Sequence, residues 1–493
     1  MTNSHDRTHH DVIVIGTGFA GLGMAIKLKA SRNDDFVVLE QADGVGGTWR
    51  ANTYPGCACD VQSHLYSFSF EPNPEWSRMF ARQPEIRAYL EHCTDKYGVR
   101  PHIRFNSAVT GARFDQAEKI WHVEVNGGET VHTARVVVAG FGPLSRPEYP
   151  QIEGIESFEG EAFHSAEWRE EIDLRGKRVA VVGTGASAIQ FVPEIAGEVA
   201  QLHLFQRTPP WVLPKPDRPT TRLERLLFRR RPELQKAYRR LIYWRLETRV
   251  LGFTVHPKVM KAAEVIGRIH ISRGIKDPAL RKAVTPDYTI GCKRILMSNT
   301  YYTALDRENV EVVTGGVTRV TPNGVVGTDG IEREVDVIIY GTGFKVHDPL
   351  AHLKIEGRGG TELGQLWREE GLEAYLGTTV AGFPNLFILV GPNTGLGHNS
   401  IIYMIESQVH YVLEAMKAMD ARSATFVDVT PEAQASFNDS IQEQLVGTVW
   451  SSGCASWYLD ASGKNRTLWP GFTFRYRAAT DEFKLEDYEL AAA

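Results

Sequence analysis

An α/β fold made of two Rossmann-like dinucleotide-binding domains, the second inserted in the first, is predicted by three features of this sequence. Two are glycine fingerprints, Gly16-Thr17-Gly18-Phe19-Ala20-Gly21 and Gly183-Thr184-Gly185-Ala186-Ser187-Ala188, each directly after a short apolar run. The third is a pair of buried-strand signatures at 136–140 and 335–340, one on either side of the second fingerprint. They are expected to mark where the chain leaves the first sheet and where it returns.

In the first fingerprint Gly16, Gly18 and Gly21 serve a tight turn, a close approach of backbone to pyrophosphate, and helix–strand packing. The helix that follows offers unpaired N–H groups to phosphate. A second strand, 36–39, ends in Glu40, 24 residues after Gly16. A carboxylate at that point accepts hydrogen bonds from ribose hydroxyls, which predicts FAD. In the second fingerprint Gly183, Gly185 and Ser187 follow the strand 178–182, and 24 residues after Gly183 the chain delivers Arg207-Thr208 instead of an acid. A guanidinium suits a 2′-phosphate, which predicts NADP, as NADPH.

The division read from these signals is 1–145 for the first part of the FAD domain, 150–325 for the NADPH domain, and 326–493 for the rest of the FAD domain and active-site closure. Residues 218–290 are too long for an ordinary βα connection and read as a helical insertion, with Leu234, Tyr238, Leu241 and Ile242 on one face. Eleven basic and three acidic residues lie between 218 and 249, read as a solvated helical cap. A helix from 401 to about 419, capped by Asn399 or Ser400, is placed to aim its N-terminus at the flavin. The net charge of −5 gives no general attraction to nucleic acid, and no run of apolar residues is long enough for an integral membrane segment. The N-terminal polar tail leads straight into the first strand, not into a secretory signal, so cytoplasm is the expected compartment. Five cysteines at irregular positions do not read as a disulfide framework. Cys57 and Cys59 are expected to be packed, inert thiols. No metal-ligand cluster stands near them. Without a redox disulfide or metal, O2 is the natural electron acceptor.

Two further stretches carry a family resemblance. Phe158-Glu159-Gly160-Glu161-Ala162-Phe163-His164-Ser165-Ala166-Glu167-Trp168 resembles the F-x-G-x-x-x-H-x-x-x-W fingerprint of type I Baeyer–Villiger monooxygenases, class B flavoprotein monooxygenases. The block from Gly46-Gly47-Thr48-Trp49 through Tyr54-Pro55-Gly56 to Asp60 is similar to the family's G-G-x-W-x4-Y-P-G-x3-D. The departure is Arg169, where the family usually has Pro or Asp, and a basic residue there is similar to the sister N- and S-oxygenating flavin monooxygenases.

The resemblance implies insertion of one oxygen atom from O2 beside a ketone carbonyl, through a C4a-peroxyflavin, to give an ester or lactone. It implies Arg294 as the catalytic arginine, Asp60 against it, and Gly47, Thr48 and Trp49 near the flavin. Lys293 would join Arg207 and Thr208 on the 2′-phosphate. Trp457 would close over the nicotinamide, with Trp450 as the alternative. His164 would be an interdomain hinge. An N- or S-oxygenase and a non-oxygenating NADPH–flavin oxidoreductase are the competing readings. Oligomeric state is not legible.

Overall fold

A computed structural model of the chain describes residues 8–346, 348, 350 and 352–492. Strand β1 (His9–Ile15) leads into helix α1 (Phe19–Ala30), and β2 (Phe36–Leu39) lies parallel to β1 with Ile15 opposite Leu39. β1 is buried on both faces, as a central parallel strand must be. Val12 and Val14 pack into one core while Ile13 packs into another across the sheet, following the two-residue strand period. Strand β3 (Thr130–Ala139) runs parallel to β1 on its other side, and the chain leaves the sheet after it.

The second sheet is five-stranded and wholly parallel. Its centre holds β4 (Arg178–Val182), which opens into helix α2 (Ala188–Ile195), and β5 (Gln201–Gln206). Here one expectation needs correction. Strand β6 (Val337–Tyr340) does not return to the first sheet; it pairs with β4, Val337 opposite Val179, and with the strand Glu161–His164. The return is made later, first by Lys354–Glu356, which pairs with the strand Val109–Asp115, and then by Leu386–Ile388 alongside β3. A continuous apolar run fits the interior of either parallel sheet, so periodicity could not choose. The chain thus leaves the first sheet after β3 and pairs with it again only beyond Tyr340, not from 326.

The insertion is helical. Helix α3 (Arg222–Arg230) starts at a capping box, Thr221 with Glu224, and α4 (Pro232–Glu247) follows at once. Ile242 and Leu246 are buried with Tyr243 against Leu65, whereas Leu234 and Leu241 are 42% and 63% exposed. The expected common face is therefore split: only Ile242 of its leucines and isoleucines faces inward. Helix α5 (Ile401–Ala421) begins with the Ser400 hydroxyl accepting the Ile402 N–H. Among the described residues no helix is long and apolar enough to cross a membrane.

His64 joins the insertion to the first domain. It is buried, its Nδ1 accepts from Gln235 at 3.1 Å, and its ring meets Phe228 and Tyr238 edge-on. Burial pushes its pKa down to about 4, with Arg239 adding to that and Glu224 opposing it. The unfolded chain takes up this proton near 6.5 and the folded chain only near 4. Stability attributable to His64 is thus complete above pH 6.5 and declines as pH falls through that window, by on the order of 3 kcal/mol at most. Melting temperatures measured from pH 7 to 4 should fall less steeply in His64→Gln than in the parent.

Candidate active site

The first fingerprint forms an open cradle. Gly16 has φ +91°, and a Cβ there would stand 2.9 Å from the Gly140 carbonyl oxygen; one on Gly21 would stand 1.9 Å from that of Gly16. Gly47, at φ +51°, lies over Gly18, whose Cα a side chain would meet at 2.8 Å. Backbone thus approaches backbone where no side chain fits. Helix α1 starts at Gly18 with no side-chain cap, so its first N–H groups face the cradle. Glu40 is buried at the end of β2; its Oε2 accepts from the Thr17 N–H (2.8 Å) and hydroxyl (2.6 Å), and its Oε1 from Ala42 N–H. This fixes the carboxylate at the rim of the turn. Thr48 is exposed, and half-buried Trp49 packs on both main cores, its indole donating to the Tyr66 hydroxyl at 3.1 Å.

The second fingerprint repeats the plan. Gly183 has φ +107°, and a Cβ would come 2.5 Å from the Gly341 carbonyl, which explains the Gly341-Thr342-Gly343 turn after β6. Gly185 is exposed with space around it, and α2 begins at Ser187 without a side-chain cap. Thr208 offers its carbonyl to the Thr184 hydroxyl at 3.2 Å. Arg207 is exposed and has no carboxylate partner among the described residues. Lys293 stands near it, its pKa lowered first by burial and then by the Arg207 charge. Two neighbouring cations, of which Lys293 also feels the Asp287 charge, match a 2′-phosphate. The donors present in both cradles fit FAD in the first and NADP in the second.

Between the cradles lies the Arg294–Asp60 pair. Arg294 Nη2 donates to Asp60 Oδ2, joining the loop after the first cradle to the segment of Lys293, and the two side chains keep 37% and 32% of their exposure. The Asp60 charge raises the arginine above its usual range. Burial would raise the carboxyl, but the Arg294 charge and hydrogen bond outweigh it and hold Asp60 below the carboxylate range. The loop bearing Asp60 is clamped from the second domain. Gln190 of α2 accepts from the Tyr54 hydroxyl and Ala58 N–H and donates to the Ala58 carbonyl, while Lys215 Nζ donates to the Cys59 carbonyl at 3.1 Å. Gly56 (φ +78°) lets this loop touch α2, since a Cβ would meet the Gln190 carbonyl at 2.8 Å.

Cys57 and Cys59 are buried thiols, and burial raises both pKa values, that of Cys57 to about 11. The reading of no disulfide is corrected elsewhere: Cys292 and Cys454 are bonded across 162 residues with Cα atoms 6.4 Å apart. This bond ties the loop of Lys293 and Arg294 to the segment of Trp457. Trp457 is 41% exposed and lies against Tyr458, whose phenol, within electrostatic reach of Arg294, burial pushes up to about 12. Trp450 is buried and stacked on Phe253. His164, also buried, touches Tyr149 of the outgoing crossing and Phe344 of the returning one. The Asn399 amide donates to Glu247 of α4, so the start of α5 is held by the insertion. Lys215, Gln190, Tyr458 and Glu247 escaped sequence reasoning; each is a lone polar residue whose partner is supplied by another domain or a distant segment.

A flavin-binding monooxygenase-like family matches residues 9–252. A Baeyer–Villiger monooxygenase of Pseudomonas aeruginosa is 56% identical over 98% of this chain and 92% of its own. The cyclohexanone monooxygenase of Rhodococcus sp. Phi1, solved bound to NADP+, superposes with a TM-score of 0.88 at 30% identity over 99% of this chain and all of that one. OTEMO, solved in complex with FAD and NADP, gives 0.88 at 29% identity over 98% of this chain and 99% of its own.

Proposed function

The chain belongs to the Baeyer–Villiger monooxygenase family, and from that membership we propose that it uses NADPH and O2 to place one oxygen atom beside a ketone carbonyl, giving an ester or lactone. The observation that carries this reading is a partly exposed Arg294–Asp60 ion pair that joins the loop after the first cradle to the segment of Lys293. Bound FAD and NADPH supply the redox chemistry, hydride from one and oxygen activation on the other.

The chain's own residues do the rest. Arg207 and Lys293 hold the 2′-phosphate, with Thr208 at the same turn. Arg294 offers a fixed positive charge to the anionic oxygen that attacks the carbonyl carbon, and to the negative charge that builds on the carbonyl oxygen. Asp60 keeps the guanidinium oriented and tempers its charge. Trp457 and Tyr458 cover the cleft and keep water from the reacting oxygen. His164, touching both crossings, is the pivot about which the domains adjust.

Holoenzyme mixed with NADPH, O2, a panel of ketones, one tertiary amine and one thioether tests the reading. A ketone gaining one oxygen atom in step with NADPH loss supports it; amine or sulfide oxides with untouched ketones overturn it. Arg169 is expected to have no part in that choice. Its guanidinium is engaged on the surface by Glu161 (2.5 Å) and Glu171 (2.9 Å). Arg169→Ala should leave the product pattern unchanged and kcat/KM within about twofold, as is usual for exposed ion pairs.

A further inference from the structure

Helices α3 and α4 do not follow the ordinary amphipathic rule. Their inner side chains are satisfied by the first domain, yet their outer faces carry Leu223, Leu227, Leu234, Leu241 and Trp244, with Leu223, Leu241 and Trp244 at 73%, 63% and 54% exposure. On α4 these recur at i, i+7 and i+10, one stripe of the helix. Phe474, 39% exposed, meets Trp244 at 6.0 Å and extends the patch. Of nineteen exposed large hydrophobic residues among those described, twelve fall between 223 and 269. Single exposed leucines are ordinary; this concentration marks a surface that meets something.

The charge beside the patch says what. A cleft of about 350 Å³ is lined by Arg222, Arg225 and Arg229 with Leu226 and Glu75. Arg229 pairs with Glu75 at 2.7 Å, whereas Arg222 and Arg225 have no carboxylate partner among the described residues. A twofold dimer through this face would bring the uncompensated Arg222 and Arg225 charges of both copies into one interface, which disfavours a second copy of the chain. Apolar side chains bordered by cations match an anionic phospholipid surface, with acyl boundary for Leu and Trp and headgroup phosphate for Arg.

We propose that the α3–α4 hairpin seats the enzyme on an anionic phospholipid surface, Leu223, Leu241 and Trp244 entering the interfacial layer while Arg222 and Arg225 hold headgroup phosphates. This is peripheral docking, without a spanning helix, and it is independent of the ketone reaction. Holoenzyme should float with vesicles of phosphatidylglycerol and phosphatidylcholine at low salt and with phosphatidylcholine alone at least ~10-fold less. Recovery should fall steeply as salt shortens the Debye length from ~10 Å to ~3 Å. Leu241→Glu/Trp244→Glu, and separately Arg222→Glu/Arg225→Glu, should each lose most of the floated protein while flavin content and ketone-dependent NADPH oxidation stay within about twofold. Recovery independent of vesicles, or retained in both variants, overturns the proposal. So does a vesicle-independent dimer dispersed by Leu241→Glu/Trp244→Glu. Thermal stabilisation by inorganic phosphate without vesicle binding would reassign the arginine cleft to a free anion and likewise overturn it.

Discussion

Arg294→Ala is expected to lower ester formation by at least ~10²–10³-fold while NADPH still reduces the flavin at a rate within about tenfold of the parent. The size follows from removing one preorganised charge aimed at a developing anion in a water-poor cleft. Reduction survives because the second cradle, with Arg207 and Thr208, is untouched. NADPH consumption should then appear as hydrogen peroxide, since oxygen is activated without a partner for its charge. The substitution also leaves Asp60 without its guanidinium. Asp60 still has the Lys215 charge acting on it, so the stranded carboxylate keeps a cation near it and the fold should hold. Arg294→Lys separates charge from geometry: it keeps the cation but loses the planar fork. Stopped-flow reduction, peroxide assay and ester quantification on one preparation check all three points. Full ester production by Arg294→Ala would remove Arg294 from the mechanism.

Arg207→Ala and Lys293→Ala are each expected to reduce kcat/KM for NADPH by ~10–100-fold, the equivalent of one charge-assisted hydrogen bond of about 1.5–3 kcal/mol. The same variants should change kcat/KM for NADH by less than about threefold, because NADH lacks the 2′-phosphate. The structural ground is the juxtaposition of the two cations: the Lys293 pKa is lowered first by burial and then by the Arg207 charge, and an arriving phosphate offsets both. The double variant should lose less than the product of the two, since both side chains address one phosphate. Equal losses with NADPH and NADH would show these residues to act on folding rather than on cofactor choice.

The two cradles were legible because their information is local. Gly16, Gly18 and Gly21, or Gly183 and Gly185, lie within one strand–turn–helix, and Glu40 and Arg207 end the next strand. Backbone sterics and helix termini dictate such motifs over some thirty residues. The Arg294–Asp60 pair, 234 residues apart, was reached only through family resemblance. β6 was placed in the wrong sheet for a related reason: four apolar residues in a row suit any parallel core, and only the register Val337–Val179 decides.

The sequence by itself therefore determined the class of fold and its two strand–turn–helix glycine turns, with Glu40 and Arg207 just after their next strands, since each rests on residues that are neighbours in the chain. The tertiary structure alone decided which sheet receives β6, that Cys292 bonds Cys454, that Gln190 and Lys215 clamp the Asp60 loop, and that Leu223, Leu234 and Leu241 of α3 and α4 face outward. These depend on contacts between segments up to hundreds of residues apart, whose cost in chain entropy is met only when the whole core closes. No local pattern encodes them.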